Sequence, residues 1–73
     1  MRKNLKEARK RAGLTQQQMA DRLGIGLRYY LQIEAGQRNG NFGIWDALED
    51  ITGVHQRILR ENSSSHSDKE GNP

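Results

Sequence analysis

The chain has no cysteine among its 73 residues, which excludes disulfide staples and thiolate metal sites. Its two histidines, His55 and His66, stand apart and give no metal-ligand spacing. No apolar run approaches the roughly 20 residues that a membrane span needs. The basic N-terminus is not followed by the apolar stretch, roughly 7–15 residues long, of a signal peptide. These absences read as a cytoplasmic chain with no membrane role and no cofactor. They also leave an enzyme without its parts: no nucleophile beside a base, no phosphate-cradling glycine loop and no metal cluster. Hydrophobic residues make up only 33% of the chain. One domain of this length buries roughly 60% of its unfolded surface, so its stability must come from helix packing, with a second subunit as a further source.

What is present is charge, unevenly placed. Residues 1–40 carry nine Lys and Arg against three Asp and Glu, a net of +6, whereas residues 41–73 carry three against six, a net of −3. A basic half joined to an acidic half suggests that one face meets a polyanion. An ordinary solvated surface would give the same count, so charge alone does not decide.

The apolar spacing is helical throughout. Leu5, Ala8 and Ala12 mark an amphipathic first helix that stops at Gly13. A dense start signal follows: Thr15 as N-cap, Gln18 reaching back to complete a capping box, and Leu14 paired with Met19 as a hydrophobic staple. The second helix runs to Leu23 with Met19, Ala20 and Leu23 inward, and Gly24 stops it. Ile25-Gly26 is the turn, with Gly26 capping a third helix from Leu27 to about Ala35, ended by Gly36. Its inward stripe is Tyr30 and Ile33, with Leu27 at the margin, leaving Leu27, Arg28, Tyr29, Leu31 and Gln32 on or near the exposed side. After the Asn39-Gly40 turn, Asn41 caps a fourth helix from Phe42 to Thr52, in which Trp45, Leu48 and Ile51 or Thr52 face the core. Gly53 stops that helix, and Val54, Ile58 and Leu59 mark a last short one from about Gln56 to Glu61. From Asn62 to Pro73 there is no apolar residue, so 62–73 is expected to be a disordered polar tail on a domain of residues 1–61. The fold class is all-α with five helices.

Helices two and three form a pair closed by a small residue, Ala20, at their crossing and by Gly24 at the turn, a position that a side chain would strain. These are structural needs, and on their own they indicate a helix pair only. The residues Leu14-Thr15-Gln16, Met19-Ala20, Leu23-Gly24-Ile25 and Ile33-Glu34-Ala35-Gly36 resemble the helix-turn-helix of the XRE family, the lambdoid phage repressor and Cro type. The Arg-rich first helix ending in Gly13-Leu14 and the Leu48, Gly53-Val54 and Leu59 ending agree with it, so the resemblance covers roughly residues 4–60. Two departures stand out. Asn39-Gly40-Asn41 replaces the Asn-Pro-Ser common after the third helix, and Tyr29-Tyr30 and Leu31 replace smaller or more polar residues.

The resemblance implies a lambda-repressor-like domain that lays its third helix in the major groove of double-stranded DNA. By that likeness Gln16 and Gln17 meet a phosphate, helped by the positive end of the second helix, and Arg38, Asn39 and Asn41 meet phosphates across the groove. Arg28 is suited to a bidentate contact with guanine, Gln32 to one with adenine, and Leu27 to a thymine methyl. Tyr29 reaches a phosphate through its hydroxyl. Arg9, Lys10 and Arg11 form a basic run that is either a solvated face or added phosphate attraction. Glu34 is a poor ligand for DNA and is expected to pair with Arg9, bracing the third helix. Trp45 reads as core, and Asp46, Glu49 and Asp50 as an acidic face turned away from DNA. Val54, Ile58 and Leu59 exceed what the rest of the chain can cover, which suggests a homodimer surface and a palindromic operator. The expected function is a sequence-specific transcriptional regulator, a repressor. An antitoxin-like or other protein-interaction module of the same fold, its tail from Asn62 ordering on a partner, is the alternative.

Overall fold

Thr15 shows how local chemistry sets the helix boundaries. Its hydroxyl accepts from the Gln18 backbone N–H at 3.1 Å, and the Gln18 side chain accepts from the Thr15 N–H at 2.9 Å. Both halves of the expected capping box are therefore present. Asn41 does similar work later in the chain, its side chain accepting from the Ile44 N–H at 3.0 Å. The computed structural model describes residues 1–62, which fold as α1 (Lys3–Arg11), α2 (Gln16–Leu23), α3 (Leu27–Ala35), α4 (Phe42–Thr52) and α5 (Gln56–Leu59), with no strand among them. None of these helices is long and apolar enough to cross a membrane.

Each helix contributes one apolar stripe to a shared core of Leu5, Ala8, Met19, Ala20, Tyr30, Ile33, Ile44, Trp45, Leu48 and Leu59. Ala20 has no exposed surface, and α2 and α3 pack directly against each other. Gly24 turns the chain between them at φ +71°, in the left-handed region, where a side chain would be strained even though the space around it is open. Leu14, Leu23, Ile25, Ile51 and Val54 close the core's edges as half-buried residues.

Four expectations need correction. Ala12 is exposed, because α1 ends at Arg11 and Ala12 is only its C-cap. Arg9 is not part of a solvated basic face but is buried, while Lys10 and Arg11 beside it are exposed. Leu59 has no exposed surface and belongs to the core, so it has nothing to offer a dimer surface. With Leu59 anchored inward, α5 is a single turn that ends there and does not extend to Glu61. Of the expected tail, Asn62 is described: its side chain donates to the Gly36 carbonyl at 3.2 Å and accepts from the Met1 ammonium at 2.6 Å. Residues 63–73 lie outside the described residues.

Thr15→Ala should remove one side of the capping box and cost about 1 kcal/mol. For a domain of this size that lowers the melting temperature by roughly 4–8 °C. Calorimetry on the full chain checks this, and an unchanged midpoint would show that the cap contributes nothing.

Candidate nucleic-acid interface

The outward face of α3 is set by what its inward face holds. Tyr30, Ile33 and Glu34 are buried, and Glu34 is the unusual member because a buried carboxylate must be paired. Its oxygens accept from Arg9 Nε at 2.9 Å, Arg9 Nη2 at 3.3 Å, Gln16 Nε2 at 2.9 Å and the Tyr30 hydroxyl at 2.6 Å. The expected Arg9–Glu34 pair is therefore present and buried on both sides. Arg9 also donates to the Leu14 carbonyl at 2.9 Å, so one guanidinium joins α1, α3 and the start of α2.

The electrostatics of this cluster are consistent with its geometry. Burial alone would push the Glu34 carboxyl up, but the hydrogen bonds from Arg9, Tyr30 and Gln16 outweigh it and hold the group below the usual carboxylate range. The Glu34 hydrogen bond raises Arg9 against the opposing effect of burial. Burial first, and Glu34 next, push the Tyr30 hydroxyl far above the usual phenol range, so it stays a donor.

On the opposite side of α3, Arg28 is exposed and Gln32 and Leu27 are half-buried. Leu31, 37% exposed, shares that outer side. Tyr29 is half-buried, and the Arg38 guanidinium lies 5.8 Å from the centre of its ring. Arg38, Asn39 and Asn41 are all exposed in the loop that follows. Gln17 is exposed and donates to Asp21 at 3.0 Å. Gln16 is half-buried with one hydrogen of its side-chain amide committed to Glu34, so the other amide hydrogen and the backbone N–H are the donors that remain for an anionic ligand. Arg28, Gln32 and Leu27 thus share one helix, flanked by the start of α2 and by the loop after α3. Val54 is half-buried and Ile58 is 43% exposed at the far end of the chain.

Residues 5–59 match the helix-turn-helix family. The chain belongs to the XRE family of helix-turn-helix domains. It thus carries a DNA-binding domain of the transcription-regulator type, a family that is not typically enzymatic. No curated protein and no solved structure matches the chain significantly.

The sequence pattern gives no sign of Arg2, which lies just before the residues matched to the XRE domain. Arg2 is 5% exposed. Its Nη1 donates to the carbonyls of Ile33 at 2.6 Å and Arg38 at 2.8 Å, and its Nε to that of Arg60 at 3.0 Å. Its guanidinium lies 5.1 Å from the centre of the Trp45 ring, and its backbone N–H donates to the Glu34 carbonyl at 2.8 Å. Periodicity gives no hint of it, because Arg2 precedes the first helical residue and acts through a side chain that reaches across the sequence. Phe42, 79% exposed beside Asn41 at the start of α4, is a second feature that the apolar spacing did not single out.

Arg9→Met should leave the Glu34 carboxylate buried with only Tyr30 and Gln16 as donors and cost about 3–5 kcal/mol. Urea unfolding in a stabilising osmolyte measures this while the variant remains folded. In the parent chain the depressed Glu34 carboxyl makes the unfolded state bind more protons, so its contribution is complete above the unfolded value of about 4.3 and is lost as pH falls through the folded value. In the variant burial prevails, the carboxyl rises, and stability is lost as pH climbs past about 4.3. The gap between the two proteins should therefore widen as pH rises, first because the parent gains stability on the way up to the unfolded value and then because the variant loses it beyond. A constant gap would contradict the pairing.

Proposed function

We propose that the chain is a sequence-specific repressor of transcription that binds a palindromic double-stranded DNA operator as a homodimer, with α3 in the major groove. The observation that carries this reading is the outward face of α3, where Arg28 and Leu31 stand exposed beside the half-buried Gln32. A rod presented in this way suits a groove wide enough to admit one helix. Arg28 reads guanine through a bidentate fork, Gln32 reads adenine, and Leu27 meets a thymine methyl. Arg38, Asn39 and Asn41 grip phosphates on one side, while Gln17 and the remaining N–H groups of Gln16 meet them on the other. Tyr29 adds its hydroxyl to the phosphate contacts while its ring supports Arg38. The net charge of +6 over residues 1–40 favours approach to a polyanion.

Occupying an operator is by itself enough to exclude a polymerase, so repression needs no further activity. Dimerisation uses Val54 and Ile58, with Leu59 serving behind them in the core. A twofold there sets two recognition helices one DNA turn apart, about 34 Å.

Sites enriched from random duplex DNA test the whole reading, since a dimer enriches inverted repeats. Arg28→Ala should relax preference at one base position, erasing about 1–3 kcal/mol of discrimination. Arg38→Ala should weaken binding to all sequences alike and lower the salt slope by about one. If both variants leave affinity and preference unchanged, the docking is wrong. For the dimer, sedimentation should show Ile58→Glu to be monomeric and the parent chain to associate; a parent that stays monomeric with and without DNA removes that part.

A further inference from the structure

Arg2 makes an arrangement that the recognition surface does not itself require. A guanidinium this deeply buried is ordinarily paired with a carboxylate, yet Arg2 has no ion pair among the described residues. It is satisfied instead by three backbone carbonyls and the face of Trp45. Burial lowers its pKa first and the nearby Arg60 adds to that, so the position disfavours the cation that occupies it. A hydrophobic residue of similar length would fill the space without that cost, and the charged fork therefore calls for a role.

The carbonyls identify the role. Ile33 lies in the last turn of α3, Arg38 carries the exposed guanidinium of the following loop, and both accept from the same nitrogen of Arg2. The loop is further tied by the Gln37 and Arg38 N–H groups, which donate to the Gln32 carbonyl at 2.8 and 3.2 Å, and by Trp45 Nε1, which donates to the Asn39 carbonyl at 2.7 Å. Among the described residues, only Arg2 joins the end of α3 directly to the Arg38 backbone from outside the loop and links both to the end of α5. We propose that Arg2 is a positioning residue for DNA binding: by bridging the Ile33 and Arg38 carbonyls it holds the 37–41 loop at a fixed height beside α3, so that phosphate contacts from Arg38 and Asn39 and base contacts from α3 are made together. This rests on the DNA-binding reading above. A lysine retains the charge but offers a point donor where the planar fork spans two directions at once, so fork and charge can be separated.

The full chain, its Arg2→Met variant and its Arg2→Lys variant are compared on the duplex that the parent protein enriches from random DNA. Amide exchange of each free protein is followed at Gln37 and Arg38, with Met19 in α2 as the internal reference. Both variants should exchange faster at Gln37 and Arg38 with Met19 unchanged. They should bind roughly tenfold more weakly at low salt, show a salt slope smaller by about one, and keep the parent's base preference. Parent-like affinity and slope in both variants would overturn the role, as would Arg2→Lys behaving like the parent, because charge alone would then suffice. Faster exchange at Met19 by the same factor would also overturn it, showing a general loss of stability. A parent chain that enriches no duplex overturns the DNA reading and this role together, whereas the other outcomes overturn the role alone.

Discussion

The buried Glu34 carboxylate is the constraint on which the rest of this domain depends. An unpaired charge in that position would cost several kcal/mol, so Arg9, Gln16 and Tyr30 must converge on it from α1, α2 and α3 itself. Apolar contacts are non-directional and leave a short helix free to roll, whereas four hydrogen bonds to two oxygens admit only a narrow range of rotations. In a core of ten buried apolar residues, that directional restriction matters. It fixes which residues of α3 turn outward, and so a polar cluster behind the helix determines the chemistry displayed in front of it.

The parts of this arrangement visible in the sequence were those written in local chemistry. Thr15, Gln18, Asn41 and the glycines after α2, α3 and α4 act within a few residues of themselves, so their types and spacing announce the helix limits. Glu34 could be read because an acid in a basic, groove-facing segment is anomalous and calls for a cation, and Arg9 lies on a neighbouring helix. The misreadings share a different cause. Arg9-Lys10-Arg11 looks like one basic run, yet on a helix neighbours stand about 100° apart, and only the first of the three faces α3. Leu59 looked surplus because the sequence does not show how completely α1 and α4 close over α5. Arg2 was invisible because its partners are backbone carbonyls, which every residue possesses and no residue type reveals.

The charge asymmetry also has a structural meaning. The acidic residues of α4 do more than offset the basic half: Asp46 and Glu49 both accept from Gln56 Nε2, at 2.7 and 3.1 Å, and so tie α5 to α4. The negative half therefore supports the short last helix, whose His55 side chain accepts from the Arg57 N–H at 3.0 Å as its cap. The basic residues Arg28, Arg38, Lys10 and Arg11 are exposed. Exposed cations outnumber exposed carboxylates where α1 to α3 face solvent, Lys3, Lys10, Arg11, Arg22 and Arg28 against Glu7 and Asp21, which leaves that surface net positive.

The two buried arginines divide the bracing of α3 between them. The last carbonyls of a helix lack internal partners and carry the negative end of its dipole, and α3 has no basic residue of its own in that last turn. Arg2 brings both a cation and donors to that end from a part of the chain that precedes α1, its side chain taking the Ile33 carbonyl and its backbone taking that of Glu34. Arg9 grips the same turn through the Glu34 side chain. One residue, Glu34, is thus held by its main chain from Arg2 and by its carboxylate from Arg9. A displacement of α1 along its axis would disturb both grips together. The height of the recognition helix is therefore set by directional bonds from Arg2, from Arg9 of α1 and from Gln16 of α2, with direct packing of α2 against α3 beside them.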